Sequence, residues 1–298
     1  MGSVAGHPDA QQLLAVAVDV VRAAAVTAWA MREQGVGDVA TKSTDTDVVT
    51  AADRAVEEQA IEALRAARPG DTILGEESGV LPAGTGTVRG AGPPGRGPGG
   101  GEAGADGPVA VAEVRWLLDP IDGTVNYLYG LAPYAVSLAA EVAGVVVAGV
   151  VREVSSGEEW TAVRGAGAWR AGRRLAGSTV TALGQSLLAT GFAYDPARRG
   201  HQARVVAALL PEVRDIRRFG AASVDLCLAA EGRVDAYYEK GLNPWDYAAG
   251  ALVAAEAGLL VTGLDGGPPG PDFVLAAPAG IYHDLRKRLG ELDAGGGP

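Results

Sequence analysis

The sequence predicts a layered fold that mixes α-helices and β-sheets, α+β in its first half and α/β in its second. Strand-like runs separated by glycine turns dominate from Tyr134 to Trp169, and strands alternate with helices from about Gly177 onward. The chain has 298 residues, of which 48% are hydrophobic. That is enough for one large domain or two closely packed subdomains.

The first half begins with a long helix from Asp9 to Gln34. Asp9 is a suitable N-cap, and Gly35 is a suitable residue for the C-terminal end of the helix. The segments predicted next, in chain order, are a β-branched run at Val48–Thr50, a helix from Ala51 to about Ala67, a strand at Thr72–Leu74, and a strand at Val114–Leu118 that stops at Asp119-Pro120.

The second half alternates short strands with helices. Strands are predicted at Leu187–Thr190, Asp215–Arg218, Ala236–Tyr238 and Phe273–Ala276, and helices around Gln202–Leu210, Ala222–Ala230, Pro244–Ala257 and Gly280–Leu292. We therefore expect an N-terminal α+β subdomain over residues 1–176 and a C-terminal α/β subdomain over residues 177–298.

Residues 82–110 interrupt the first half with 11 glycines and 5 prolines. Such a segment buries too little apolar surface to offset its ordering entropy, so it is predicted to be a flexible surface insertion. A phosphate-binding glycine loop is the alternative interpretation. It is disfavoured because no Gly-Lys-Ser/Thr ends the segment and no helical pattern follows.

Composition excludes several function classes. The formal net charge of −11 disfavours nucleic acid as the main partner, because nonspecific affinity for it comes from cationic side chains. The single cysteine excludes an intramolecular disulfide and a cysteine-rich zinc site, and three scattered histidines disfavour histidine catalysis and histidine-rich metal sites. Cys227 lies in an apolar run and is predicted to be a buried thiol. The chemistry must therefore rest on carboxylates.

No membrane or secretory segment is expected. The first nine residues have no cationic region before an apolar stretch. The apolar stretch from Tyr134 to Val151 is interrupted by Glu141, Gly144 and Gly149, which favours two buried strands over a spanning helix. We expect a cytoplasmic protein.

The most informative motif is Asp119-Pro120-Ile121-Asp122-Gly123-Thr124, which follows an apolar strand. Pro120 forces the chain to turn, and two carboxylates three residues apart can then point at one place. A hard cation relieves their repulsion and takes their oxygens as ligands. Gly123 allows a close approach of the backbone to a ligand. An ordinary Asp-rich turn is the alternative.

Three further acidic segments follow a strand or begin a helix, where mixed folds gather ligands. Each also has a simpler explanation. Glu76 and Glu77 are compatible with an exposed turn, Asp53 with a capping box begun by Thr50, and Asp246 with a helix dipole after the cap Asn243. Taken alone, none of the three establishes a site.

Together, the order Lys42…Asp53, Gly75-Glu76-Glu77, Asp119 to Thr124 and Trp245-Asp246 resembles the inositol monophosphatase family of magnesium-dependent, lithium-sensitive phosphatases. The resemblance runs from about Ala10 to Leu289, without the insertion. It implies an α-β-α-β-α sandwich of the sugar-phosphatase type and a homodimer. It also implies hydrolysis of a small phosphorylated polyol.

The resemblance also assigns residues. It implies two or three Mg²⁺ ions, replaceable by Mn²⁺, bound by Glu76, Asp119, the Ile121 carbonyl, Asp122 and Asp246. A third, weaker ion would lie near Glu76, and Glu76 is also expected to be catalytic. Asp53 and Thr124 are associated with orienting the attacking water. The backbone amides of Gly123 and Thr124 would bind the phosphate.

The choice of substrate depends on weaker matches. Glu239 matches the acid that binds inositol hydroxyls, and Gly220, Ala221 and Ala222 match the segment that lines the leaving group. Ala221 stands where relatives often have a hydroxyl residue, so one polar contact is missing. The expected substrate is myo-inositol monophosphate. The alternatives are histidinol phosphate, fructose 1,6-bisphosphate or 3′-phosphoadenosine 5′-phosphate, or a catalytically idle metal-binding regulatory dimer.

Overall fold

A computed structural model describes residues 9–35, 40–41, 48–84 and 113–298, with only the backbone described at 48 and 49. The predicted insertion lies outside the described residues except for residues 82–84. The α-helices of the described ranges are α1 Ala10–Glu33, α2 Ala51–Ala67, α3 Thr124–Tyr129, α4 Pro196–Leu209, α5 Ala222–Glu231, α6 Pro244–Glu256 and α7 Ala279–Glu291.

The strands of the described ranges fall into three sheets. They are β1 Ala40–Thr41, β2 Val48–Val49, β3 Thr72–Gly75, β4 Gly79–Leu81, β5 Val114–Asp122, β6 Ala135–Val142, β7 Val145–Glu153, β8 Glu159–Val163, β9 Gly167–Arg170, β10 Arg173–Arg174, β11 Leu187–Thr190, β12 Asp215–Arg217, β13 Ala236–Glu239, β14 Leu260–Thr262 and β15 Val274–Ala277.

The large sheet has the strand order β10-β9-β8-β7-β6-β5-β3-β4, and its only parallel pair in the described chain is β3 with β5. The smaller sheet has the order β12-β11-β13-β15-β14, with β11 parallel to both of its neighbours. Strands β1 and β2 form a separate antiparallel pair. Antiparallel hairpins in the first half and crossovers in the second half agree with the sequence prediction.

Helices and sheets alternate in five layers. Helices α1 and α2 cover one face of the large sheet, α5 and α6 lie between the two sheets, and α4 and α7 cover the far face of the smaller sheet. Three apolar clusters fill the spaces between the layers. The predicted α-β-α-β-α sandwich is confirmed, whereas the division into subdomains at residue 176 stays a prediction.

Helix α1 is the one helix of the described ranges that is long and apolar enough to cross a membrane. Its inward face instead packs on β6, β7 and α2 through residues such as Leu13, Val20 and Val21, all buried. Packing against the large sheet therefore accounts for its apolar character. Asp9 caps the helix as predicted, since its carboxylate accepts a hydrogen bond from the Gln11 amide.

The prediction that a strand stops at Asp119-Pro120 is wrong. Strand β5 continues to Asp122, with an irregular pairing against β6 between Asp119 and Asp122. Asp119 pairs with Ser137, and Asp122 pairs with Ala135. Strand β5 therefore advances by three residues where β6 advances by two, and the extra residue forms a β-bulge. Proline is tolerated at such a bulge because no ladder hydrogen bond is needed there.

Other elements were missed or misplaced. Strands β4 and β14 have three residues each, and α3 has six, which is too short for periodicity to reveal. Helix α4 begins at Pro196 rather than near Gln202, because Asp195 caps it through the amide of Arg198.

Candidate active site

A cavity of about 440 Å³ opens where both sheets and the middle helices meet. Eleven of the twelve predicted site residues line this cavity, and Asp53 is the exception. They are Glu76, Asp119, Ile121, Asp122, Gly123, Thr124, Gly220, Ala221, Ala222, Glu239 and Asp246. The fold therefore gathers acids that are up to 170 positions apart in the chain (from Glu76 to Asp246).

Two acids reach the cavity side by side because β3 and β5 are parallel. Gly75 pairs with Leu118, so Glu76 and Asp119 leave neighbouring strands at the same edge. The amide of Glu76 donates to the Leu118 carbonyl at 3.2 Å, which continues this register one residue further. The carboxyl ends of parallel strands meet at one edge of a sheet, and this explains the convergence.

Gly75 leaves room for the buried carboxylate of Glu57. A Cβ atom at Gly75 would lie 2.0 Å from Glu57 Oε1. The same oxygen accepts a hydrogen bond of 3.1 Å from the amide of Glu77. Helix α2 thus holds the turn that carries Glu76, through a residue that sequence analysis did not single out.

Asp119 combines burial with an oxygen that has no hydrogen-bond partner. Its side chain is 2% exposed, and its Oδ1 has no hydrogen-bond partner in the described structure. Burial raises the pKa of Asp119 well above its usual value, and the charges of Glu76, Asp122 and Asp246 raise it further. A buried, unpartnered oxygen among like charges is what a hard cation would stabilise.

Asp122 is bound by the start of α5. Its Oδ1 accepts a hydrogen bond from the Ala222 amide at 3.2 Å, and its Oδ2 accepts from the amide and hydroxyl of Ser223 at 2.8 and 2.5 Å. Burial raises the pKa of Asp122 to about 6, and the hydrogen bonds from Ser223 oppose this rise. Sequence analysis missed Ser223, because no local spacing links it to Asp122.

Asp246 comes from the first turn of α6, where its Oδ2 accepts a hydrogen bond of 2.7 Å from the Asn243 amide. Burial raises its pKa well above the usual value, with Glu76 as the next cause. No three His, Cys, Asp or Glu side chains of the described ranges surround a single ion position. The acids share a cavity, and their oxygen-only chemistry fits Mg²⁺ or Mn²⁺.

Asp53 lies behind the cavity wall and reaches it through Thr124. The Thr124 hydroxyl is 3.3 Å from Asp53 Oδ1 and 3.1 Å from the Ile121 carbonyl. Asp53 Oδ2 accepts hydrogen bonds from the Thr50 hydroxyl at 2.5 Å and amide at 2.8 Å, which completes the predicted capping box. Burial raises the pKa of Asp53 to about 6, and Thr50 opposes this.

Gly123 brings two distant segments together. Its φ of +89° favours glycine, and a Cβ there would lie 3.1 Å from the Gly220 carbonyl. Asn126 on α3 strengthens this junction, because its Nδ2 donates to the carbonyls of Phe219 at 2.7 Å and Pro133 at 2.8 Å. The loop at Gly220 and the phosphate-binding turn predicted at Gly123 are thus held as one unit.

Glu239 ends β13 on the smaller sheet. Its Oε2 accepts a hydrogen bond of 2.6 Å from the Tyr237 hydroxyl, and a Cβ atom at Gly191 would overlap its carboxylate. Burial raises the pKa of Glu239 to about 7, whereas Tyr237 and Arg218 lower it. Sequence analysis did not identify Tyr237, Gly191 or Arg218.

Cavities lined by clustered carboxylates, with an unpartnered buried oxygen, are typical of enzymes that act on phosphate esters through divalent cations. The model of the inositol monophosphatase family matches residues 9–294, and the chain belongs to this family. It is a phosphoric monoester hydrolase by class.

Individual relatives match between 74% and 96% of the chain. An inositol-1-monophosphatase of Mycobacterium leprae (strain TN) is 43% identical over 296 residues, 94% of each chain. The solved structure of Mycobacterium tuberculosis SuhB is 35% identical, with a TM-score of 0.74, and the match covers 96% of this chain and 98% of that one. The Nus factor SuhB of Escherichia coli (strain K12) is 38% identical over 222 residues, 74% of this chain and 73% of that protein.

Proposed function

We propose that the protein hydrolyses a phosphate monoester of a polyol, with myo-inositol monophosphate as the first candidate. The observation that carries the proposal is the buried, unpartnered Oδ1 of Asp119 among Glu76, Asp122 and Asp246. Family membership and the name of the Mycobacterium leprae relative support it. The ligands would be these four carboxylates and the Ile121 carbonyl, for two or three Mg²⁺ ions with Mn²⁺ as a substitute.

When bound, these ions would screen the ester's charge and lower the pKa of a water molecule. Thr124 would accept a hydrogen bond from that water and pass a proton to Asp53, whose Oδ1 lies 3.3 Å from the Thr124 hydroxyl. With its pKa raised to about 6, Asp53 is a stronger base than an ordinary aspartate. The water oxygen bonds to phosphorus, the ester P–O bond breaks, and the leaving oxygen takes a proton.

The rest of the cavity would bind the alcohol. Glu239 accepts hydrogen bonds from substrate hydroxyls, and Gly220, Ala221 and Ala222 lie against the leaving group. The amides of Gly123 and Thr124 bind phosphate oxygens. Histidinol phosphate, fructose 1,6-bisphosphate and 3′-phosphoadenosine 5′-phosphate remain alternative substrates, because Ala221 offers no side-chain hydrogen bond.

A regulatory, catalytically idle homodimer is the second candidate, and the Nus factor name of the Escherichia coli relative is the observation that favours it. Hydrolysis is better supported, since an idle relative should tolerate the loss of Asp53 or Thr124, whereas this chain has both together with every expected metal ligand. A cytoplasmic location, a homodimeric state and the absence of nucleic acid as main partner stay predictions.

The test is phosphate release from myo-inositol 1-phosphate and the three alternative substrates, with and without Mg²⁺ and Li⁺. We expect Mg²⁺-dependent release that Li⁺ inhibits, and a loss of at least about 100-fold in Asp119→Asn, because the negative charge of one cation ligand is removed. Asp119 is a cleaner choice than Asp122, whose oxygens also accept hydrogen bonds from α5.

Asp225→Asn is the matched control. Asp225 is also buried, 1% exposed, with an unpartnered Oδ1, but it does not line the cavity. We expect this variant to retain its Mg²⁺-dependent activity. Mg²⁺ should raise the melting temperature of the wild type and Asp225→Asn, but not of Asp119→Asn. Full activity in Asp119→Asn, or no release from any ester by the wild type, would contradict the proposal.

A further inference from the structure

Two aromatic residues, Phe192 and Tyr194, line the cavity beside its carboxylates. Both belong to the loop between β11 and α4, and together they are called the aromatic wall. Tyr194 is 36% exposed, and the hydrolysis proposed above uses neither side chain. Ligand pockets commonly use aromatic side chains to bury the apolar surface of a ligand. The aromatic wall therefore favours a substrate that has an apolar surface of its own.

The loop that carries the aromatic wall is fixed to α4. The Ala193 amide donates to Gln202 Oε1 at 2.9 Å, and Arg199 Nη1 donates to the carbonyls of Ala193 at 3.3 Å and Tyr194 at 3.1 Å. Asp195 caps the helix directly after the loop. Because the loop is already held in place, binding of a ligand against it costs little further ordering.

The same loop lies against the acid that is proposed to bind the alcohol. A Cβ atom at Gly191 would overlap the Glu239 carboxylate, so the loop backbone touches this side chain. Phe192 follows Gly191 directly. The turn at Gly123, which is proposed to bind the phosphate, instead packs against Gly220. The aromatic wall therefore belongs to the alcohol side of the cavity.

A cyclic polyol presents two kinds of surface to such a site. Its hydroxyl groups lie around the ring, where Glu239 would accept their hydrogen bonds. Its C–H groups lie on the two faces of the ring, and an aromatic side chain that packs against one face removes apolar surface from water. An open-chain polyol has no flat face of this kind.

We propose that Tyr194, assisted by Phe192, packs against one face of a cyclic leaving group, so that the enzyme selects ring alcohols over open-chain alcohols. Tyr194 is then a specificity-determining residue. The reaction is unchanged: the water oxygen bonds to phosphorus, the ester P–O bond breaks, and the ring alcohol leaves with a proton. This inference rests on the proposed phosphatase activity and names the feature of the alcohol that the cavity binds.

The test compares phosphate release from a cyclic ester, myo-inositol 1-phosphate, and an open-chain ester, glycerol 2-phosphate, each with Mg²⁺. The wild type should have the higher kcat/KM for the cyclic ester. In Tyr194→Ala, we expect kcat/KM for the cyclic ester to fall about 5- to 20-fold, mainly through KM, because the packing of one aromatic ring is lost. For glycerol 2-phosphate it should stay within about twofold of the wild type.

Two variants serve as controls. Tyr194→Phe keeps the aromatic ring and should retain the preference of the wild type. Tyr129→Ala removes a tyrosine that is 72% exposed and does not line the cavity, so it should affect neither ester. Unchanged melting temperatures and an unchanged Mg²⁺ concentration for half-maximal release would show that Tyr194→Ala leaves the fold and the metal site intact.

Equal losses for the two esters in Tyr194→Ala would mean that the side chain supports the loop rather than the alcohol, and would overturn the inference. No loss in Tyr194→Ala would also overturn it, as would a lost preference in Tyr194→Phe. Release by the wild type without a preference for the cyclic ester would refute this inference alone. No release from either ester by the wild type would refute the proposed function, and this inference with it.

Discussion

Gly75 has no side chain, and this makes room for Glu57, which holds the turn that carries Glu76. Glu57 occupies the space that a Cβ would need and holds the Glu77 amide, so the turn places Glu76 beside Asp119. The glycine of the Gly75-Glu76-Glu77 motif is thus explained by packing against Glu57. A sequence pattern does not reveal this contact. The same reasoning applies at Gly123, where both φ and the closeness of Gly220 exclude a side chain.

Gly75→Ala should therefore lower both stability and activity. The new methyl group would displace Glu57 and shift Glu76, and we expect a loss of about 1 to 3 kcal/mol in the free energy of unfolding. The Mg²⁺ concentration for half-maximal phosphate release should rise. Gly70→Ala is the control, since nothing lies within 4 Å of its Cβ position. Equal effects of the two substitutions, measured by denaturant titration and Mg²⁺ titration, would contradict this account.

The middle layer determines how the elements converge. Helices α5 and α6 pack closely, because a Cβ at Gly250 would lie 2.8 Å from the Ser223 carbonyl and 2.9 Å from Leu226 Cβ. Ser223 binds Asp122 at the start of α5, and Asp246 lies in the first turn of α6. The spacing of this helix pair thus controls the distance between two of the proposed ligands.

Substitution by alanine should destabilise the protein at one helical glycine, Gly250, and stabilise it at another, Gly290. Gly250→Ala would push α5 and α6 apart, and we expect destabilisation by about 1 to 3 kcal/mol together with reduced Mg²⁺-dependent activity. Gly290→Ala, on α7 with nothing within 4 Å of the new methyl group, should stabilise by about 0.5 to 1 kcal/mol. Thermal unfolding and phosphate release check both. Stabilisation by Gly250→Ala would show that the helix pair is not tightly packed.

Across the whole molecule, the site joins parts that the residue patterns indicate one at a time and that only the family resemblance groups together. Glu76, Asp119, Asp122 and Asp246 were identified because each follows a strand or begins a helix, and their motifs are local. Ser223 was not, because its contact with Asp122 spans 101 positions. Short elements and the bulge in β5 also escaped, since three-residue strands carry no usable period.

Burial of acids should make the metal-free protein sensitive to pH. Burial raises the pKa of Asp53 to about 6 and of Glu239 to about 7, and raises that of Asp225 well above its usual value. Each acid binds its proton more tightly in the folded than in the unfolded chain. Ionisation of these groups therefore lowers the free energy of unfolding. This destabilisation decreases as the pH falls below their raised pKa values.

We accordingly expect the melting temperature in the presence of a chelator to rise as the pH is lowered from 8 to 6. Below about pH 5 the trend should reverse. There, protonation removes the stabilising hydrogen bonds that Ser155 and Ser156 give to Glu153, whose pKa is lowered despite its burial. Glu239→Gln should flatten the slope between pH 8 and 6, because it removes one of the titrating groups. If the melting temperature of the metal-free protein fell as the pH was lowered from 8 to 6, the account would be contradicted. The charges of the buried acids would then be balanced by cationic groups of the protein.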